Sequence, residues 1–264
     1  MSDPTASPIS RERIRRDLRA RRIRVSHVQR MSENMIRVTF EGDALRDFES
    51  LGPHDHLKLI VPDQDGSIPE PTIVDGSLQR PFEATVRDYT PRTYDQNAGR
   101  LAIEFFDHED PGPATRWARA AEPGQEVVIM GPRGSQPVPN GAESLLLFAD
   151  EAALPSVARW IEMSDLPVRA HLLGQEGEHR YLHSVAGAER CAVTWHAHAD
   201  ELIRACLAVR EVEDTCYVWC GGEAMMLAAL RRHLRTICAP AQLKVTGYWR
   251  DGLAGYDHHA PLPD

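Results

Sequence analysis

The sequence predicts two domains of different class, an antiparallel β-barrel followed by a parallel-sheet α/β domain. Three observations carry this. The first half is a series of short alternating or β-branched runs bounded by Gly, Pro and Asp, the pattern of a small antiparallel barrel. The second half alternates short, wholly apolar runs with helical ones, as in a parallel sheet covered on both faces. A chain of 264 residues also has the length for two separate cores.

The elements follow in order. Residues 11–24 hold eight arginines against Glu12 and Asp17, and RERIRRDLRARR reads as a solvated helix or arm, with residues 1–19 set apart. RIRVSHVQRM and NMIRVTFEG form a strand pair with Ser32-Glu33 at the turn. HLKLIVP, LAIEFFDH and EVVIMGP add three more strands, separated by Pro-rich segments at 62–81 and 132–139, and the β domain spans 20–138. SLLLFAD then opens the α/β domain, spanning 143–255, with the boundary in QPVPNGAE. A helix at about 152–163, VRAHLL, CAVTWHA, a helix at about 199–210, TCYVWCGG, a helix at about 222–238 and LKVTGYW complete it. The helix after Gly222 places Leu227, Leu230, Leu234 and Ile237 on one face and Arg231, Arg232 and Arg235 on the other. Residues 256–264 read as a tail.

Composition excludes several classes. Hydrophobic residues make up 42% and charged residues 26%, a globular and soluble balance. No apolar run approaches the ~18 residues of a membrane span. The basic N-terminus leads into no apolar stretch of a signal peptide, so the expected location is the cytoplasm, without stable membrane insertion. Net charge is −9, and beyond residue 24 there are 22 basic against 36 acidic side chains, a balance of −14 that argues against nucleic acid as a partner. The five cysteines (Cys191, Cys206, Cys216, Cys220, Cys238) are odd in number and lack a CxxC, so neither disulfides nor an iron–sulfur cluster is expected. Cys216 and Cys220 read as packing residues. The pairs His54/His56 and His196/His198, and the DHH at 257–259, lack the convergent further ligands of a metal centre.

The chemistry concentrates in VRDYTPRTYD, residues 86–95. In an extended segment Arg87 and Tyr89 share a face. An arginine clamps phosphate, a tyrosine lies beside a flat heterocycle, and Thr90 offers a hydroxyl to a ring nitrogen. A flavin dinucleotide presents all three targets, although these residues alone favour a plain barrel strand with an exposed Arg and a half-buried Tyr. Gly112-Pro113-Ala114-Thr115 opens a helical run, where free N–H groups bind phosphate or merely cap. GPRGS at 131–135 follows a strand, and its glycines allow close backbone approach by a ligand, or a tight turn.

RDYT resembles the RxY[ST] flavin motif of the ferredoxin-reductase superfamily, and GPAT resembles its pyrophosphate turn. RDYTPRTYD, LAIEFFDHEDPGPATRWA, PGQEVVIMGPRGS, FADEAALPSVARW, VWCGGEAMMLAALRRHLR and GYWRDG resemble the siderophore-interacting family of NAD(P)H-dependent ferric-siderophore reductases, over about residues 20–255. The resemblance implies that the N-terminal barrel binds FAD. Arg87, Tyr89 and Thr90 would hold it, with Thr90 at the reacting N5. His108, Gly112, Ala114 and Thr115 would take the pyrophosphate and adenosine side, and Gly131, Gly134 and Ser135 would close the flavin pocket. Asp150, Glu151, Gly221, Gly222 and Glu223, after strands of the α/β domain, would receive NADH or NADPH. Lys58 and Arg133 match the basic positions that face the anionic ferric chelate.

The implied activity is NAD(P)H-dependent reduction of Fe(III) held by a siderophore, a small-molecule substrate, with iron leaving as Fe(II). The chain departs from the pattern at Ala152, where many relatives carry a hydroxyl or glycine. It also lacks a GxGxxG, so the choice between NADH and NADPH stays open. A flavin reductase serving an oxygenase shares the same cofactor residues, and a siderophore-binding protein without turnover is the non-enzymatic alternative. The assembly state is left open, a monomer included.

Overall fold

The computed structural model describes residues 8–63, 65–79, 84–257 and 260–263. Contacts divide the chain into two units, Arg13–Gln136 and a second made of Pro137 onward together with the segment ending at Glu12.

The first unit contains β1 (Ile14–Arg15), β2 (Ala20–Ser32), β3 (Met35–Glu41), β4 (Leu57–Ile60), β5 (Ile73–Val74), β6 (Ser77–Leu78), β7 (Val86–Tyr89), β8 (Pro91–Asp95), β9 (Arg100–Phe106), α1 (Pro113–Arg119), β10 (Glu126–Met130) and β11 (Gly134–Ser135). Seven strands form one antiparallel sheet in the order β7-β4-β10-β2-β3-β9-β8. Its two edge strands, β7 and β8, are joined by the single residue Thr90. The sheet therefore curls until its edges meet in sequence, as the expected barrel requires. Alternating residues Val38, Phe40, Leu57, Leu59, Ile103, Phe105, Val127 and Ile129 fill its inner face. The β2–β3 turn falls at Glu33-Asn34, one residue later than expected, with Ser32 opposite Met35. Asn34 N donates to Ser32 Oγ at 3.3 Å, which holds this register.

The second unit contains β12 (Ser144–Ala149), α2 (Leu154–Met163), β13 (Val168–Leu173), α3 (Glu176–His183), β14 (Cys191–His196), α4 (Ala199–Ala208), β15 (Cys216–Glu223), α5 (Ala224–Leu234) and β16 (Leu243–Trp249). The five strands are parallel, in the order β14-β13-β12-β15-β16. Leu145 to Ala149 are all buried, as their unbroken apolar run demands. Residues 151–153 form a 3₁₀ turn before α2, and α5 ends at Leu234, four residues short of the expected 238. The helix α3 was not foreseen, because EGEHRYLH is short and mostly polar. Its available signal was the capping box, in which Gln175 N donates to Glu178 Oε2 at 2.9 Å.

Two sequence expectations are corrected. The arginine-rich segment is neither a helix nor a free arm. Ile9 is buried, and Ser10 exchanges backbone hydrogen bonds with Asn140 at 3.0 Å each way. Arg11 donates to the carbonyls of Leu243 and Pro240 at 3.1 Å. Further on, β1 pairs with β11. The following arginines meet acids of their own unit: Arg16 with Glu49, Arg19 and Arg21 with Asp47, Arg22 with Glu70 and Glu126, and Arg24 with Glu41. Extended backbone wins because strand edges and carboxylates are waiting for it. Nor is the C-terminal segment a loose tail. Leu262 enters the α/β core, and Arg231 reaches back to the carbonyls of Leu262 and Pro263 at 3.2 and 2.8 Å. His258 and His259 of the DHH stretch lie outside the described residues.

All five cysteines are free thiols, with Cys206, Cys216 and Cys220 buried. Among the described residues, no helix is long and apolar enough to cross a membrane.

Candidate functional site

The barrel seam gathers the first group of predicted residues. On β7, Tyr89 lies opposite Leu57 and Arg87 opposite Leu59, both core leucines of β4. Arg87 and Tyr89 thus share one face, and Asp88 points the other way. Tyr89 packs on Phe105, ring centroids 4.5 Å apart, and its hydroxyl lies near the side chain of Thr115. Burial is the main reason its phenol is pushed up to about 12, so the ring stays neutral. Thr90, 7% exposed, sits at the seam itself. This Tyr89–Thr115 contact links the strand to the Gly112–Thr115 turn, whose near end lies 23 residues further on.

That turn has the makings of a phosphate cradle. Gly112 is exposed and caps α1 without a side-chain bond, and a Cβ built on it meets nothing within 4 Å. The seven residues of α1 are too few for a large dipole, so local N–H groups and arginines must supply the positive field. Arg87 donates to the carbonyl of Val86 at 2.9 Å, and among the described residues no carboxylate pairs with it. Arg116 donates to Pro111 O and also lines a groove of about 630 Å³ together with Val61, Pro62, Asp63, Asp65, Thr85 and Pro113. Arg87, Arg116 and the backbone N–H groups of the turn are donors of the kind a dinucleotide pyrophosphate needs, while Asp63 and Asp65 make part of the groove wall acidic. His108 is exposed beside the turn, stacked on Phe106 at 6.3 Å.

The 131–135 segment is partly committed elsewhere. A Cβ on Gly134 would stand 2.9 Å from the Ile14 carbonyl, so this glycine makes room for β1. Ser135 Oγ donates to Asp55 Oδ2 at 2.6 Å and accepts from Leu51 N at 3.2 Å. Asp55 also takes Ser50 Oγ and Gly52 N, and its burial raises its pKa. Sequence reasoning missed this buried hub, since Asp55 and Ser135 are 80 residues apart. Gly131, with φ +94, keeps a backbone role, and Arg133 is exposed. Lys58 is not a free cation: its Nζ lies 2.9 and 3.2 Å from the two oxygens of Asp88.

At the carboxyl edge of the parallel sheet, Asp150 is buried. Oδ2 accepts from Glu223 N at 2.7 Å and from Trp249 Nε1 at 2.8 Å, and Oδ1 accepts from Ala153 N at 3.2 Å. Desolvation, aided by Glu151, lifts its pKa to about 7. Asp150 thereby knots the ends of β12, β15 and β16. Gly222, at φ +144, is required there because a Cβ would stand 2.5 Å from the Asp150 carboxyl carbon. Glu223 caps α5 through Met226 N at 2.7 Å. Trp249, 42% exposed, and Tyr248, bonded to Ser156 at 2.8 Å, had no assigned role in the sequence reading.

His196 approaches His171 at 3.2 Å rather than pairing with His198, which caps α4. Among the described residues, no three His, Cys, Asp or Glu are grouped to hold a metal ion.

Comparison with known proteins gives the family. The profile of the siderophore-interacting FAD-binding domain matches residues 24–136, and that of the siderophore-interacting protein matches residues 142–252. The chain is 33% identical over 245 residues to the NADPH-dependent ferric-chelate reductase of Escherichia coli K12, covering 90% of this chain and 96% of that one. It is 24% identical over 240 residues to the ferric vibriobactin reductase ViuB of Vibrio cholerae, covering 87% and 89%. The crystal structure of a siderophore utilization protein from T. fusca superposes with a TM-score of 0.86 at 34% identity, over 95% of this chain and 100% of that one. On the barrel seam, the parallel sheet and these matches, the chain belongs to the siderophore-interacting protein family, with an FAD-binding domain as its first half.

Proposed function

We propose that the protein is an FAD-dependent ferric-siderophore reductase that draws electrons from NADH or NADPH and releases iron as Fe(II). The observation that carries this reading is the seam, where Tyr89, next to Thr90, meets Thr115 of the Gly112–Thr115 turn. Arg87 and the turn would hold the pyrophosphate, Tyr89 would flank the ring system, and Thr90 would donate to N5. His108 would lie beside the adenosine, and the Gly131 backbone would close the pocket. Gly134 and Ser135 would act at one remove, by fixing β11 and the Asp55 hub. Bound FAD supplies the exchange between a two-electron donor and a one-electron acceptor.

NAD(P)H would dock at the carboxyl edges of β12 and β15, near Glu151 and the Gly221–Gly222 backbone. Asp150 and Glu223 would shape that edge rather than touch the dinucleotide, because their oxygens are already taken. Lys58 and Arg133 would face the ferric chelate. We place the reaction in the cytoplasm.

The test is the visible spectrum of protein loaded with FAD and desalted, followed anaerobically by nicotinamide and then a ferric siderophore. Wild type should retain flavin, bleach with the preferred donor, and recover its colour with the chelate as Fe(II) appears. Arg87→Ala should retain roughly tenfold less flavin, the scale of one lost charge-assisted contact. Wild type that retains no flavin would overturn the reading. Recovery with free flavins or quinones but not with ferric chelates would replace it with that of a general flavin reductase.

A further inference from the structure

Lys58 on β4 and Asp88 on β7 stand directly opposite each other. The ammonium reaches both carboxylate oxygens, and the two side chains are 35% and 24% exposed. A ligand docking on this face meets both groups together. The attraction of the cation and the repulsion of the anion then largely cancel, because the charges are closer to each other than to the bulk of the ligand. Arg133 is exposed, and among the described residues no carboxylate pairs with its guanidinium. The two basic positions are therefore not equivalent. One presents a full charge and the other a neutral pair. A partly exposed pair of this kind contributes little to folding, so its main effect is on the field it presents. Asp88 also lies on the face away from Arg87 and Tyr89, two residues before the seam residue Thr90.

We propose that Asp88 is a specificity-determining residue whose carboxylate holds Lys58 in a neutral pair and so limits the preference of the site for highly charged anionic ferric chelates. The inference rests on the ferric-siderophore reading and on the role of Lys58 proposed above.

Two probes separate charge from chemistry: a tris-catecholate ferric chelate, which is trianionic, and a tris-hydroxamate one, which is neutral. The readout is the ratio of kcat/KM for the first over the second, measured on FAD-loaded full-length protein with flavin content determined for each variant. Asp88→Asn should raise this ratio about 3- to 10-fold at low salt, and the gain should shrink as ionic strength rises. Asp88→Glu should restore a near wild-type ratio, and Lys58→Ala should lower it by a similar factor. Asp88→Ser is the second variant, should the asparagine amide re-engage Lys58. A fall in the ratio with Asp88→Asn, or no change while Lys58→Ala still lowers it, would overturn the inference and leave the Lys58 assignment standing. No response to either substitution would instead remove Lys58 from the chelate site. Failure of the wild type to reduce either chelate would sink the reductase reading itself.

Discussion

Asp150 shows what a single residue can and cannot reveal. Its place after an apolar strand made it a natural candidate for a nucleotide contact. Its partners Glu223 and Trp249 are 73 and 99 residues away, and no local pattern announces them. Its chemistry is nonetheless testable. An aspartic acid held at about 7 keeps its proton where the unfolded chain, at about 3.9, has lost it. Its contribution to stability is therefore complete below about pH 4, declines as pH rises to about 7, and is level above that. The full swing is on the order of 4 kcal/mol, from roughly three pKa units at about 1.4 kcal/mol each. Asp150→Asn carries no ionisable group and should lack this slope. Melting curves from pH 4 to pH 8 should show the variant gaining on the wild type as pH rises, whereas parallel curves would remove Asp150 from the titration. The residues proposed to hold the flavin, Arg87, Tyr89 and Thr90, are neighbours in sequence, so the motif that suggests them is local.

At the scale of elements, period-two and wholly apolar runs located most strands within a residue or two. β13 and β16 match their predicted runs residue for residue. The missed features have two causes: the pairing of β1 with β11 joins distant segments, and the capped α3 is short and polar. The second arginine of VRDYTPRTYD also depends on a partner that the local sequence does not announce. Arg92, on β8, turns inward to Glu104 on β9, which also takes Arg37 from β3. Glu104 is fully buried between the two guanidiniums and locks three strands on the side of the sheet that ends at the seam. Glu104→Ala should cost about 3–5 kcal/mol, because it removes the buried carboxylate that the buried Arg92 and the part-buried Arg37 share. Changing Arg37 and Arg92 to leucine in that background should recover most of the loss. Urea midpoints of the single and triple variants decide the matter, and equal midpoints would show that the cluster is not a coupled unit.

For the molecule as a whole, composition and the change from alternating to apolar runs gave the two classes of domain correctly. The contact units nevertheless differ from a simple division of the chain in two. The second unit draws on Ile9, Ser10 and Arg11 as well as on everything after Gln136. Ile9→Ala should therefore destabilise that unit by about 2–5 kcal/mol, the usual range for a buried isoleucine. It should leave flavin retention by the first unit largely intact. Thermal melting followed in parallel by tryptophan fluorescence and flavin absorbance separates the two outcomes. Loss of both together would place Ile9 in a single cooperative unit.

This shared construction fixes an order of events during synthesis. Residues 8–12 leave the ribosome before any of the unit they complete, and their partner Asn140 follows 130 residues after Ser10. At roughly 5–20 residues per second, Ile9 waits about 6–26 seconds for its cavity. It does so flanked by Arg11, Arg13, Arg15 and Arg16, charges that act as gatekeepers against premature association of an exposed apolar residue. Two of these arginines later find partners, Arg11 on carbonyls and Arg16 on Glu49, so one short segment protects the nascent chain first and fastens the finished protein afterwards.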